Sequence, residues 1–155
     1  MKILILENIR SAHNVGAIFR TADGAGVSKI LLVGYTPTPI DRFGRPQPEI
    51  VKTSLGASEE IEWKHYEKVS DFVSLLKEDG FTLVAVEQTT TSVSLTDFKV
   101  PTKVAYIVGN EVEGVSKETL ALTDLVVEIP MLGKKESLNV SVATGIILYH
   151  GLGLN

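Results

Sequence analysis

The chain has 155 residues, 44% hydrophobic and 22% charged, which suits one globular domain with a real core. The absence of cysteine excludes disulfides and thiolate metal sites, and nothing points to an oxidising compartment. A net charge of −4 excludes the strongly basic profile of many nucleic-acid binders, so any such contact needs a local patch.

The elements follow in chain order. Ile3–Leu6 reads as a buried strand, and Val15–Ala25 as a helix with Asn14 as N-cap and Gly26 just past its end. Lys29–Val33 is the next strand, followed by a loop rich in Pro and Gly (Gly34, Pro37, Pro39, Gly44, Pro46, Pro48). Glu49–Leu55 reads as a short helix and Ile61–Trp63 as a short strand. Val69, Phe72, Val73 and Leu76 keep helical spacing up to Gly80. Phe81–Val86 and Val104–Val108 are strands on either side of a polar Thr/Ser loop. Ser116–Thr119 opens a short helix. Leu125–Ile129 is a strand stopped by Pro130, and Leu138–Tyr149 is the final helix. Nearly all-apolar strands alternating with helices predict an α/β fold: a mostly parallel sheet with helices on both faces. No apolar run approaches the ~20 residues of a spanning helix, and the N-terminus lacks a signal-peptide pattern. The expectation is one domain over 1–155, cytoplasmic, with no membrane association.

Polar residues and glycines gather where strands end, the place where open α/β sheets bind ligands. The first such segment runs from Asn8 to Gly24 and holds Asn14 and Arg20. An arginine in an otherwise apolar helix needs an anionic partner or a route to water. An N-cap Asn and a snorkelling Arg explain the same residues without any function. The second is Val108–Gly114, whose glycines let backbone approach a ligand closely; an ordinary strand-to-helix turn is the plain alternative. No Gly-Lys-Ser/Thr follows, so it is not a Walker loop. The third is Ile129–Ala143, where Ser137, Asn139 and Ser141 interrupt an apolar stretch at a helix start. Free N–H groups there suit a polar ligand, and capping by Ser137 accounts for them equally. His13, His65 and His150 lack metal-ligand spacing, so no metal is expected.

The charges are segregated as well. All four arginines (Arg10, Arg20, Arg42, Arg45) lie in the first third, while Glu59, Glu60, Glu62, Glu67, Asp71, Glu78 and Asp79 crowd the middle. This permits a basic face on an acidic protein, although scatter over a solvated surface is the simpler reading of charge alone.

Taken together, Asn14 through Arg20, Gly109-Asn110-Glu111 and Ser137-Leu138-Asn139-Val140-Ser141 resemble the three motifs of the SpoU, or TrmH-like, RNA 2'-O-ribose methyltransferases of the SPOUT superfamily. Lys52–Ala57 is similar to the segment between the first two motifs. The resemblance covers Glu7 to about Gly151. It implies a C-terminal trefoil knot, S-adenosyl-L-methionine as cofactor, a homodimer, and transfer of a methyl group to a ribose 2'-hydroxyl of tRNA or rRNA, with no DNA partner. Carried over position by position, it assigns catalytic roles to Arg20, Asn14, Glu111, Ser137 and Asn139. Cofactor contacts fall on Gly109, Ile129, Met131, Leu138 and Glu87. Arg20 cannot be a general base in its protonated state, so it would clamp a phosphate or polarise the hydroxyl. The chain matches a minimal member without an additional RNA-binding domain. Two other readings stand beside this one: a SPOUT enzyme that methylates a base, and a catalytically idle RNA-binding protein of the same fold. For the dimer, the last helix offers Val140, Val142, Ile146, Ile147 and Leu148, more apolar surface than one small sheet face covers.

Overall fold

A computed structural model describes residues 1–152; the last three residues of the predicted 1–155 domain lie outside the described residues. The strands are β1 (Lys2–Glu7), β2 (Lys29–Val33), β3 (Glu62–Tyr66), β4 (Thr82–Val86), β5 (Val93–Ser94), β6 (Val104–Val108) and β7 (Leu125–Glu128). They form a single sheet in the order β3-β2-β1-β6-β4-β7-β5. Every pairing in it is parallel, so the expected mostly parallel sheet is wholly so.

Alternation along each strand sends side chains to two separate cores. Leu4, Leu6, Ile30, Leu32, Val84 and Tyr106 face one layer, made by α1 (Ala12–Gly24), α2 (Pro48–Ser54) and α6 (Val140–Tyr149). Their partners there include Ile18, Phe19, Ile50, Ile147 and Leu148. Ile3, Ile5, Leu31, Leu83, Ala105 and Ile107 face the other layer, with Val69, Phe72, Val73 and Leu76 around α4 (Val73–Glu78). Burial on both faces is why these strands read as unbroken apolar runs. Truncating fully buried Phe19 to Ala would cost about 3–5 kcal/mol.

Several boundaries differ from the sequence reading. Helix α1 begins at Ala12, and Ser11 rather than Asn14 caps it, its hydroxyl accepting from Asn14 N–H at 3.1 Å. The helix ends at Gly24, and the turn is sealed by Gly26 N–H to Asp23 O and Val27 N–H to Ala22 O. Helix α6 starts at Val140, not Leu138, because Asn139 takes the cap and accepts from Ser141 N–H at 2.8 Å. Ser137 therefore caps nothing and stays outside the helix. The single helix expected before Gly80 is a 3-10 turn, Val69–Asp71, followed by α4. A short helix α3 (Ala57–Glu60) and the two-residue strand β5 have no counterpart in the sequence reading. Of the five apolar α6 residues assigned to an interface, Val140, Ile147 and Leu148 are buried in the chain's own core; Val142 and Ile146, joined by Tyr149, remain exposed.

Candidate active site

The carboxyl ends of β4, β6 and β7 meet at a cleft of about 340 Å³. Val86, Glu87 and Gln88 line it after β4, Val108–Gly114 after β6, and Ile129, Met131, Glu136, Ser137 and Leu138 after β7. Val140 and Ala143 of α6 complete the wall. The lining combines apolar residues (Val86, Val108, Ile129, Met131, Leu138) with polar ones (Gln88, Glu111, Glu113, Ser137). Gln88 Nε2 donates to Glu136 O at 2.9 Å, linking the β4 and β7 loops.

Two carboxylates shape the loop after β6 from behind. Glu87 accepts from Val115 N–H at 3.0 Å and Gln88 N–H at 3.2 Å. Buried Glu7, at the end of β1, accepts from Ser116 N–H at 2.9 Å, from Ser116 Oγ at 2.8 Å and from Thr119 Oγ1. It thereby anchors the start of α5 (Lys117–Leu120). Within the loop, Asn110 Oδ1 accepts from Val112 and Glu113 N–H, and its Nδ2 donates to Asn8 O and Tyr35 Oη. The glycines serve this internal closure. A Cβ on Gly109 would collide with the backbone of Gly114 and Val115, and Gly114 sits at φ +73° against the Glu87 carboxylate. Both glycines thus meet other parts of the chain closely, and both also line the cleft.

Glu111 ties the cleft to the first helix. Its carboxylate accepts from Arg10 N–H at 3.1 Å and Ser11 N–H at 3.2 Å, with Asn14 Nδ2 at 3.5 Å. Asn139 Nδ2 in turn lies 3.5 Å from Asn14 Oδ1, while Asn139 Oδ1 accepts from Ser141 Oγ at 2.6 Å. Residues from all three polar segments therefore join in one chain, Glu111–Asn14–Asn139–Ser141. Partial burial pushes the Glu111 carboxyl up, but hydrogen bonds from Arg10 N–H, its own backbone, Ser11 N–H and Asn14 outweigh this and hold it below the usual carboxylate range.

Arg20 stands apart from this cleft. It is exposed on α1, opposite the buried face of Val15, Ile18, Phe19 and Ala22, so water supplies the route its charge needs. It opens on a second hollow with His13, Ala17, Thr21, Lys52, Thr53, Leu55 and Tyr149. Thr53 Oγ1 accompanies both Glu49 O and His13 O, and Gly16 leaves the room for α2 to lie this close to α1. Among the described residues no group of three His, Asp or Glu side chains could hold a metal ion.

A model of the SpoU rRNA Methylase family matches residues 1–149. The chain belongs to this family. It is 32% identical over 146 residues to the 23S rRNA (guanosine-2'-O-)-methyltransferase RlmB of Neisseria meningitidis serogroup B, covering 94% of this chain and 56% of the relative. To the tRNA (guanosine(18)-2'-O)-methyltransferase of Thermus thermophilus it is 36% identical over 148 residues, 94% of this chain and 71% of that one. Among solved structures, the AdoMet-bound rRNA methyltransferase from Sinorhizobium meliloti superposes with a TM-score of 0.85 at 31% identity, covering 96% of this chain and 54% of that one. The A. aeolicus TrmH/SpoU tRNA modifying enzyme gives 0.82 at 31%, covering 96% and 72%. The chain thus spans little more than half the length of several proteins it matches.

Of the residues the resemblance names, Glu87, Gly109, Glu111, Ile129, Met131, Ser137 and Leu138 line one cleft, with Asn14 bonded to Glu111 and Asn139 to Asn14. Arg20 is the one predicted residue that neither lines the cleft nor bonds to a residue of it, and it lies at the second hollow instead. Gln88, Glu136 and the Glu7 anchor escape a sequence reading, because their roles depend on partners 48 and 109 positions away.

Proposed function

We propose that the protein is an S-adenosyl-L-methionine-dependent RNA methyltransferase that modifies a ribose 2'-hydroxyl of tRNA or rRNA. The observation that carries this reading is the convergence of three distant polar segments on one cleft, through Glu111, Asn14 and Asn139. The family relatives named above act on these two RNA classes at the 2'-oxygen, and the Sinorhizobium neighbour is bound to AdoMet. The cleft suits such a cofactor: its volume lies within the small-ligand range, and its lining offers apolar residues for a base and polar ones for charged ends. Ile129, Met131 and Leu138 would hold the apolar part, with Gly109 and Glu87 beside the polar part. When bound, the cofactor supplies an electrophilic methyl group.

Methyl transfer to a hydroxyl is a displacement, so the chain's own tasks are alignment and help with the proton. Glu111 is committed to Arg10 and Ser11 N–H and holds its proton weakly, so it serves as an anchor joining α1 to the cleft loop. Asn14 and Asn139, held by that anchor and by Ser141, would orient the ribose. Ser137, outside the helix and on the cleft, is placed to hydrogen-bond cofactor or ribose. Arg20 is a permanent cation and would grip a phosphate or polarise the 2'-hydroxyl while its proton leaves by way of the phosphate.

The dimer belongs to the same proposal. Val142, Ile146 and Tyr149 are 50%, 38% and 41% exposed and form one apolar stripe on α6. Tyr149 also borders the Arg20 hollow. A second copy docked on this stripe would cover it and supply the Arg20 that one chain's cleft lacks. The trefoil knot is read from the same resemblance: the chain leaves β7, between β4 and β5, and returns to α6 against α1. No helix among the described residues is long and apolar enough to cross a membrane, in keeping with a cytoplasmic site of action.

Calorimetry with the cofactor, with and without chelator, and incubation of bulk tRNA and rRNA with methyl-labelled cofactor test the reading. Expected are metal-independent binding and label in RNA; a folded protein that binds no cofactor would sink it. Sedimentation at micromolar concentration should show a dimer, and a monomer there refutes that part.

A further inference from the structure

The connection between β2 and α2 carries an ordered turn with no part in the site above. Ile40 and Pro46 pair as an antiparallel bridge. Between them the Asp41 carboxylate accepts from Phe43 N–H at 2.8 Å, Arg45 N–H at 3.0 Å and Arg45 Nε at 2.9 Å, and Gly44 turns the chain at φ +78°. This bracing holds Phe43 out in solvent, 66% exposed. The guanidinium carbons of Arg42 and Arg45 lie 4.8 and 5.0 Å from its ring centroid. Among the described residues no hydrogen bond engages the Arg42 guanidinium, and that of Arg45 is engaged only through Nε. Half of the chain's arginines are therefore collected on one exposed ring.

An exposed ring flanked by two guanidinium groups presents a stacking face with cations beside it. Ring and cations together match unpaired nucleic acid, which presents flat bases in alternation with phosphates. They match duplex RNA less well, since its bases are stacked away. A chain of net charge −4 also needs a local cationic cluster to hold a polyanion. The connection that carries the turn starts at the strand end that bears the cleft: Tyr35, 58% exposed, receives Asn110 Nδ2 at 2.8 Å, and Thr36 Oγ1 accepts from Ile9 N–H at 3.0 Å. Resting on the reading of the protein as an RNA methyltransferase, we propose that Ile40–Pro46 is an RNA-docking site that takes an unpaired nucleotide near the methylated one, its base on Phe43 and its phosphates on Arg42 and Arg45.

The test is fluorescence anisotropy of full-length protein with a labelled oligoadenylate of about 12 nucleotides, beside an RNA duplex of the same length. Phe43→Ala should weaken single-strand binding about tenfold or more, and Phe43→Tyr should restore it. Arg42→Ala should lower the slope of log affinity against log salt by about 0.7. Cofactor binding by calorimetry should stay level in all three. Single-strand binding unaffected by Phe43→Ala, absent from the wild type, or weaker than duplex binding overturns the docking site. If the wild type methylates RNA and any of these results is found, the docking site falls and the methyltransferase reading stands. If binding depends on Phe43 but no RNA is ever methylated, the docking site stands and the catalytic reading falls.

Discussion

Two hollows of this protein are built in different ways. The cleft at the strand ends is lined by loops whose N–H groups are held in place: Glu87 takes Gln88 N–H and Asn110 takes Val112 and Glu113 N–H, while Glu7 and Glu111 brace the neighbouring chain at Ser116, Arg10 and Ser11. The Arg20 hollow is walled by side chains on the outer faces of α1, α2 and α6, with Arg20, Lys52 and Leu55 all exposed. The first is shaped before any ligand arrives; the second offers charge and apolar surface to something that must still dock. Cofactor binding should therefore be a property of the fold, while catalysis should depend on the arrival of RNA and, on the dimer proposal, of the partner.

The sharpest way to break this contrast is Arg20→Ala. We expect the single-turnover transfer rate to fall about 100-fold or more, as for other lost transition-state donors, with the cofactor dissociation constant unchanged. Arg20→Lys should fail as well, because a point charge does not reproduce the guanidinium fork. Near-wild-type transfer by Arg20→Ala would remove the residue from the mechanism, and loss of the fold would contradict its exposed position.

Glu7→Ala attacks the other region from beneath. It strands the Ser116 and Thr119 donors in a half-buried to buried setting, and urea unfolding should show a loss of about 3 kcal/mol. Leu138→Trp crowds the cleft wall directly and should weaken cofactor binding about tenfold while stability changes little.

Two smaller effects refine the picture. The Glu111 carboxyl is depressed in the fold, so its contribution to stability is complete above the unfolded value of about 4.3 and is lost as pH falls through the folded value. Glu111→Gln should therefore flatten the acid limb of the stability curve, by less than about 1 kcal/mol because solvent screens the group. At the core, burial pushes the Tyr106 phenol up to about 12, and its hydroxyl has no partner among the described residues. Tyr106→Phe should leave the melting temperature level or raise it slightly, since an unpaired buried hydroxyl contributes nothing favourable.

What a reader of the sequence can see follows the same division. β1, β2, β4 and β6 are legible because burial on both faces leaves unbroken apolar runs. β5, only Val93 and Ser94, exists through its pairing with β7 and has no local signal inside a Thr/Ser loop. The helix starts were misplaced where several cap-forming side chains compete: Ser11 wins over Asn14, and Asn139 over Ser137. In the site, the family resemblance named Gly109, Glu111, Ile129, Met131, Ser137 and Leu138, which the structure brings to one cleft. It could not show the crowding between Gly109 and Gly114–Val115, which is a tertiary fact. The separation of Arg20 from the cleft is invisible in sequence for the same reason: six positions along a helix do not tell which hollow a side chain overlooks.

The central claim, methyl transfer to ribose rather than to a base, is tested most directly by nucleoside mass spectrometry. RNA incubated with the wild-type protein and isotopically labelled cofactor is digested to nucleosides, and the labelled product is fragmented at the glycosidic bond. The account predicts that the labelled methyl group stays with the sugar fragment and that Arg20→Ala removes the signal. A label found on the base fragment, or no labelled nucleoside from a folded protein that binds both cofactor and RNA, would contradict it.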